Sequence, residues 1–161
     1  MLLTVDLGNT NIVFGLFNGK KLIKEWRFST GKICYPKIAA KIEQIVVASV
    51  VPSLDNKLML ELDKRYHCPV HFVTAENIPD LKIRLKKQKE IGADRVVDAL
   101  AARELYGAPA IIVDFGTATT FDVISEKGEY LGGAIAPGLV LSRDILHERT
   151  AKLPQVTIKA Q

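Results

Sequence analysis

The sequence predicts an α/β protein laid out twice on one plan, with a whole first copy and a second that runs only part of the way. Three observations carry this. Short apolar runs alternate with stretches of helical periodicity along most of the chain. An apolar run ending in Asp and followed by a glycine-containing polar turn occurs at Asp6 and again at Asp114, with Gly8 matching Gly116. After each turn comes a strand, a polar turn and a strand: GLFNGKKL in the first copy has its counterpart in VISEKGEYL in the second.

Taken in order, residues 2–6 and Ile12 to Phe17 read as two strands separated by the GNTN turn. Asn18-Gly19 predicts a type I′ hairpin that returns as a third antiparallel strand over Lys20 to Phe28. Between Tyr35 and Gln44, Ile38, Ala39 and Ile42 fall at helical spacing, and the β-branched run Ile45 to Val51 suits a buried parallel strand. A helix is expected from Pro52, with Ser53 as N-cap and Leu54, Leu58, Leu60 and Leu62 on its inner face. Pro69 to Val73 is the next strand. Gly92 to Tyr106 is a helix carrying Val96, Val97, Leu100, Ala101 and Leu105, stopped by Gly107 and Pro109. The second copy supplies strands at Ala110 to Asp114, Phe121 to Ile124 and Gly132 to Ala136, then a helix over Leu139 to Glu148. Two units follow, residues 1–107 and 108–161, of which the second is partial.

The composition, 48% hydrophobic and 25% charged over 161 residues, is that of a soluble globular chain and argues against disorder or membrane residence. MLLTVDLGNT has no basic leader before Asp6, so neither a signal peptide nor a membrane anchor is expected, and the cytoplasm is the expected location. Cys34 and Cys68 lack metal-ligand spacing, and His67, His71 and His147 are scattered, so neither a zinc site nor a disulfide framework is indicated. The positive excess, a formal +4, is concentrated in KIRLKKQK, Lys82 to Lys89, which holds no acidic residue. Without interleaved aromatic residues to stack on bases, this run reads first as a solvated face. Attraction of an anionic substrate and nucleic-acid binding are the other readings.

Chemistry is concentrated at the two turns. A strand-end Asp followed by Gly and short amide or hydroxyl side chains sets a carboxylate beside free backbone N–H groups, as phosphate binding requires. In DLGNTN, Gly8 admits close backbone approach, Asn9 and Thr10 offer donors, and Asp6 can hold a hydrated magnesium ion. Alone, this turn reads equally as an Asx-type turn closing a hairpin. DFGTATT at Asp114 to Thr120 repeats it, and in duplicated α/β folds two such loops clamp a nucleotide's phosphates, which points to phosphoryl transfer. At Gly92-Ala93-Asp94-Arg95 an Asp could accept a hydroxyl proton and an Arg could grip a carboxylate. By itself this tetrapeptide reads more simply as helix N-terminal charge and a solvated arginine.

DLGNTN, GADR and DFGTATTFD in this order and spacing, followed by GGAIAPG and RTAKLP, resemble the type III pantothenate kinases over most of the chain. The resemblance implies a duplicated ribonuclease-H-like fold of the actin and sugar-kinase ATPase kind. It also implies ATP-dependent phosphorylation of pantothenate, the first step of coenzyme A synthesis. Asp6, Leu7, Gly8, Asn9, Thr10, Asn11, Ile12 and Val13 would form the first ATP phosphate loop, with magnesium held through water at Asp6. Asp94 would be the proton acceptor, and Gly92, Ala93, Asp94 and Arg95 part of the pantothenate site. Thr117 would contact ATP phosphates, and Asp114 would bind a monovalent cation, potassium or ammonium. A homodimer is implied, with no membrane partner and no nucleic acid.

Three departures from the family's pattern accompany these matches. Leu85-Lys86-Lys87-Gln88 stands where the family carries a tyrosine in a YDNP-like segment, and the stretch between Phe28 and Ile45 is short. The sequence also stops before the segment that supplies a pantothenate-binding threonine and the adenine side of the cleft, which reads as a C-terminal truncation. A second function class therefore stands beside the kinase: a catalytically impaired kinase-fold protein acting as a binding or transcription accessory factor.

Overall fold

A computed structural model describes residues 1–150 and 152–158. Ala151 of the RTAKLP motif and residues 159–161 lie outside them. The described chain forms two compact units, one of Met1–Asp80 with Lys86–Val97, the other of Leu81–Leu85 with the chain from Asp98 onward.

The first unit is built on a five-stranded sheet from β1 (Leu2–Leu7), β2 (Asn11–Asn18), β3 (Lys21–Ser29), β4 (Gln44–Ser49) and β5 (Val70–Val73), in the order β3-β2-β1-β4-β5. β1, β2 and β3 form the expected antiparallel meander, and β4 and β5 add in parallel. Parallel pairing demands a crossover, and α1 (Pro52–Tyr66) is the one between β4 and β5. Leu3, Val5 and Leu7 from β1, Ile12, Phe14 and Leu16 from β2, and Ile45 and Val47 from β4 are buried in one core with Leu58 and Leu62 of α1.

Several local expectations are corrected. The hairpin loop is Gly19-Lys20, because Asn18 already pairs with Lys21. Only Gly19 of the two has positive φ, at 57°, so the turn has the Gly-first character of type II′ rather than I′, which needs positive φ at both. No helix forms over Tyr35 to Gln44. The segment is irregular up to Glu43, where β4 follows, and two of its carbonyls are taken by distant partners: Tyr66 Oη donates to Pro36 O at 2.8 Å and the Met1 amino group to Lys41 O at 3.0 Å. Pro36 has no N–H to give and the run is short, so docking of Ile38 and Ile42 on the core prevails over local periodicity. Ser53 is not the cap of α1. Val51 is, with Pro52 at the first helical position, and Ser49 instead donates its hydroxyl to Asp55 at 2.5 Å. Leu60 faces solvent, lying about 200° around the helix from Leu58, whereas Leu54, Leu58 and Leu62 recur every fourth residue on the buried side.

The helix α2 (Ala93–Tyr106) buries Ala93, Val96 and Ala99, so its inner stripe is shifted from the expected one and leaves Ala101 and Leu105 exposed. Gly107 closes it, its N–H donating to Arg103 O at 3.0 Å. The second unit has a three-stranded antiparallel sheet, β6 (Ala110–Phe115), β7 (Ala118–Ile124) and β8 (Tyr130–Pro137), in that order, followed by α3 (Leu139–Arg149). Lys82 to Arg84 lie along the outer edge of β8: Tyr130 N donates to Lys82 O and Arg84 N to Tyr130 O, each at 2.9 Å. Among the described residues no helix is long and apolar enough to cross a membrane.

Candidate active site

The first turn is set by β1 and β2, whose last paired residues, Leu7 and Ile12, are both fully buried. Their side chains belong to the core, so any ligand at this loop meets their backbone. Between them Gly8 N donates to Asn11 O at 2.9 Å, which closes the turn and leaves Asn9 and Thr10 exposed, with Asp6 exposed on the neighbouring strand end. A methyl on Gly8 would lie 3.2 Å from Asn11 O, tighter than ordinary contact, so the residue type suits the closed turn.

Thr30, which sequence reasoning passed over, braces this loop. Its hydroxyl donates to Gly8 O at 2.7 Å and its N–H to Thr10 O at 3.0 Å, and the residue is buried. A lone threonine after a strand carries no motif, so only the fold reveals it.

Gly92 to Arg95 belong with this turn rather than apart from it. Val50 N donates to Leu7 O at 3.0 Å, fixing the end of β4 beside the end of β1, and the Val50 side chain lies against Gly92, 3.3 Å from where a methyl would sit. Asp94 stands in the first turn of α2, half-buried, with one carboxylate oxygen accepting the Arg95 N–H at 2.7 Å. The first turn and the GADR tetrapeptide thus share the carboxyl end of the parallel strands, where open α/β sheets place ligands. A cavity of about 470 Å³ opens at this end, lined by Ser49, Asp55, Thr74, Glu76, Lys89, Gly92 and Ala93 among others.

The second turn repeats the design one residue shorter. Gly116 N donates to Ala118 O at 2.9 Å, two residues on, where Gly8 bonds three residues on. Asp114, Gly116 and Thr117 are exposed, and Thr119 is buried. Gly138, the last residue of GGAIAPG, holds the turn from behind: its N–H donates to Thr117 O at 3.0 Å, and it caps α3 by accepting Ser142 N–H at 2.8 Å. A methyl there would come within 2.6 Å of Thr117 O. Gly132 of the same motif has φ of 93°, and the Leu85 side chain packs within 3.0 Å of where a methyl would be. Leu85, at the departure from the family's tyrosine segment, is therefore a packing residue of the second unit. Asp122 at the end of DFGTATTFD is buried and accepts the Tyr130 hydroxyl at 2.5 Å, a structural pairing inside the sheet.

Lys82, Arg84, Lys87 and Lys89 of the basic run form ion pairs. Arg84 makes a two-pronged contact with Glu129, at 2.8 and 2.7 Å, and Lys82 joins it at 3.3 Å. Lys87 pairs with Glu90 at 2.8 Å and Lys89 with Glu76 at 3.7 Å. The hydrogen bond from Arg84, with Lys82 adding to it against partial desolvation, holds the Glu129 carboxyl below its ordinary range.

The family model of the type III pantothenate kinases matches residues 2–161. The chain belongs to the type III pantothenate kinase family. It is 45% identical over 175 aligned positions to the type III pantothenate kinase of Moorella thermoacetica, a match that covers 98% of this chain and 68% of that relative. Among solved structures it resembles a Baf family transcriptional activator from Campylobacter jejuni (TM-score 0.63, 24% identity, 99% of this chain and 67% of that one). It also resembles the ethanolamine utilization protein EutJ from Carboxydothermus hydrogenoformans (TM-score 0.50, 16% identity, 95% and 57%). At these identities the structures establish a shared fold alone.

Proposed function

We propose that this chain transfers the γ-phosphoryl group of ATP to the hydroxyl of pantothenate, giving 4′-phosphopantothenate and ADP in the first step of coenzyme A biosynthesis. The observation that carries the reading is family membership over residues 2–161 together with the meeting of the first turn and Asp94 at one end of the first sheet. In this reading Asp6 to Val13 cradle ATP phosphates, chiefly through backbone N–H groups, and Thr117 contacts them from the second turn. Asp94 takes the proton of the attacking hydroxyl as its oxygen bonds to the γ-phosphorus and ADP leaves with the electrons of the broken bond. Gly92, Ala93 and Arg95 hold pantothenate, Arg95 by pairing with its carboxylate.

The donor set at the turns suits hard cations. Asp6 is an exposed carboxylate at a strand end, as required to hold magnesium through water alongside phosphates, and Asp114 offers the same oxygen chemistry to potassium or ammonium. When bound, magnesium would neutralise phosphate charge. Residues 1–107 and 108–161 are the two ribonuclease-H-like subdomains of the proposal, and a cytoplasmic homodimer is its assembly. The basic run, which lent support to the accessory-factor alternative, has Lys82, Arg84, Lys87 and Lys89 each facing a carboxylate.

Calorimetric titration with magnesium-ATP, coupled to detection of pantothenate-dependent ADP release, tests the reading. Binding that weakens in Asp6→Asn and in Thr117→Ala supports it. Binding unchanged in both removes the turns from the nucleotide site.

A further inference from the structure

The first turn and Asp94 are joined through one stretch of backbone, Ser49 to Val51, which leads from β4 into α1. Ser49 pairs with Leu7 in the β1–β4 ladder and Val50 N donates to Leu7 O at 3.0 Å, so this stretch is fastened to the first turn on one side. On its other side it meets Gly92. The Val50 side chain and the Asp94 carboxylate both lie against the point where a Gly92 side chain would begin, Val50 at 3.3 Å. The Asp94 carboxylate therefore occupies the gap that a glycine leaves open, and Val50 borders the same gap.

Two side chains fix the stretch that carries Val50. Ser49 Oγ accepts the Val51 N–H at 3.2 Å and donates its own proton to Asp55 Oδ1 at 2.5 Å. A hydroxyl that accepts and donates at once is held in one rotamer, and here it pins a turn of irregular backbone, with Val51 at φ −127° and ψ 71°. Asp55 is half-buried in the first turn of α1, where the helix dipole favours a carboxylate. Neither Ser49 nor Asp55 belongs to any of the motifs DLGNTN, GADR or DFGTATTFD.

We propose that Ser49 and Asp55 are positioning residues for Asp94: their hydrogen bond holds the 49–51 turn so that Val50 confines the Asp94 carboxylate at a fixed place beside the first turn. The catalytic consequence rests on the proposed reaction, in which a misplacement of about 1 Å between reacting groups costs about 100-fold in rate. What Asp55 supplies is an acceptor rather than a charge. Asp55→Asn keeps a carbonyl oxygen for the Ser49 proton, whereas Asp55→Ala has none.

The test compares wild type with Ser49→Ala, Asp55→Ala, Asp55→Asn and Val50→Ala, all confirmed as folded by circular dichroism. Steady-state kinetics with ATP and pantothenate is one readout. Hydrogen exchange of the Arg95 amide, which donates to the Asp94 carboxylate, is the other. The three alanine variants should lose at least about 10-fold in kcat with ATP affinity within about threefold of wild type, and Asp55→Asn should keep kcat within about threefold. The Arg95 amide should exchange at least about 10-fold faster in the alanine variants and at the wild-type rate in Asp55→Asn. Val50→Ala leaves both Ser49 hydrogen bonds in place, so it tests the contact with Gly92 even if loss of the Ser49 hydroxyl unfolds the turn. Unchanged Arg95 exchange in the alanine variants overturns the proposal, as does an Asp55→Asn variant as impaired as Asp55→Ala. So does wild-type kcat in alanine variants of an active chain. A wild type without turnover refutes the proposed reaction instead, and Arg95 exchange then decides the positioning by itself.

Discussion

Gly138→Ala probes whether the second turn is held in shape from behind. A methyl at Gly138 meets the carbonyl oxygens of Gly116 and Thr117, the latter at 2.6 Å, and the Thr117 carbonyl carbon at 2.9 Å. All three are backbone atoms, so no rotamer change relieves the contact. Ordinary separations of 3.4 Å or more are regained only if the turn moves by several tenths of an ångström, lengthening the Gly138 N–H to Thr117 O bond as it does so. Overpacking of this kind costs about 1–3 kcal/mol. If Thr117 touches ATP phosphates, a displacement approaching 1 Å weakens their positioning by about 10- to 100-fold. The assay is calorimetric ATP affinity alongside thermal unfolding, with Gly31→Ala as control, since a methyl there meets only the Ser29 hydroxyl, at an ordinary 3.7 Å. Wild-type ATP affinity in Gly138→Ala would refute the idea that this turn's shape matters to the nucleotide.

Three further outcomes are expected. Leu58→Ala should destabilise by about 2–5 kcal/mol in chemical denaturation, whereas Leu60→Ala, on the solvent side of the same helix, should cost under about 0.5 kcal/mol. Thr30→Val, which keeps the shape but removes the donor to Gly8 O, should cost about 1 kcal/mol and weaken ATP binding through the first turn; an unchanged affinity would relegate Thr30 to packing. The Glu129 carboxyl is held below its ordinary 4.5 by the Arg84 hydrogen bond. A depressed carboxyl stabilises the fold above its unfolded value, and that stabilisation disappears as pH falls through the lowered folded one. Melting temperatures of wild type and Glu129→Gln should therefore differ at neutral pH and converge in acid.

Much of this fold was legible because burial and periodicity agree. The meander β1-β2-β3, the parallel strands and both turns follow from alternating or continuous apolar runs punctuated by Asn18-Gly19, Pro52 and the Asp-Gly turns. Failures came where tertiary contacts outweigh a short local pattern. Tyr35 to Gln44 has helical spacing, but its backbone groups bond to Tyr66 and Met1. Leu60 matched a leucine count rather than a helix phase, and Ser53 was preceded by Pro52, which shifts the cap back to Val51.

The candidate site was legible as motifs and not as neighbours. Nothing in GADR says that Gly92 packs against Val50, which in turn bonds to Leu7 and ties Asp94 to the first turn. Thr30 and Gly138 each act through a pair of hydrogen bonds, Gly138 also through close backbone approach, which no spacing rule marks.

The central claim is that Asp94 accepts the proton of the pantothenate hydroxyl. It is tested most directly by mass-spectrometric detection of 4′-phosphopantothenate from ATP, magnesium, potassium and pantothenate, with wild type and Asp94→Asn side by side. The account predicts product with wild type, a loss of at least about 100-fold in Asp94→Asn, and ATP affinity within about twofold of wild type in both. Product formed equally by both proteins would contradict it.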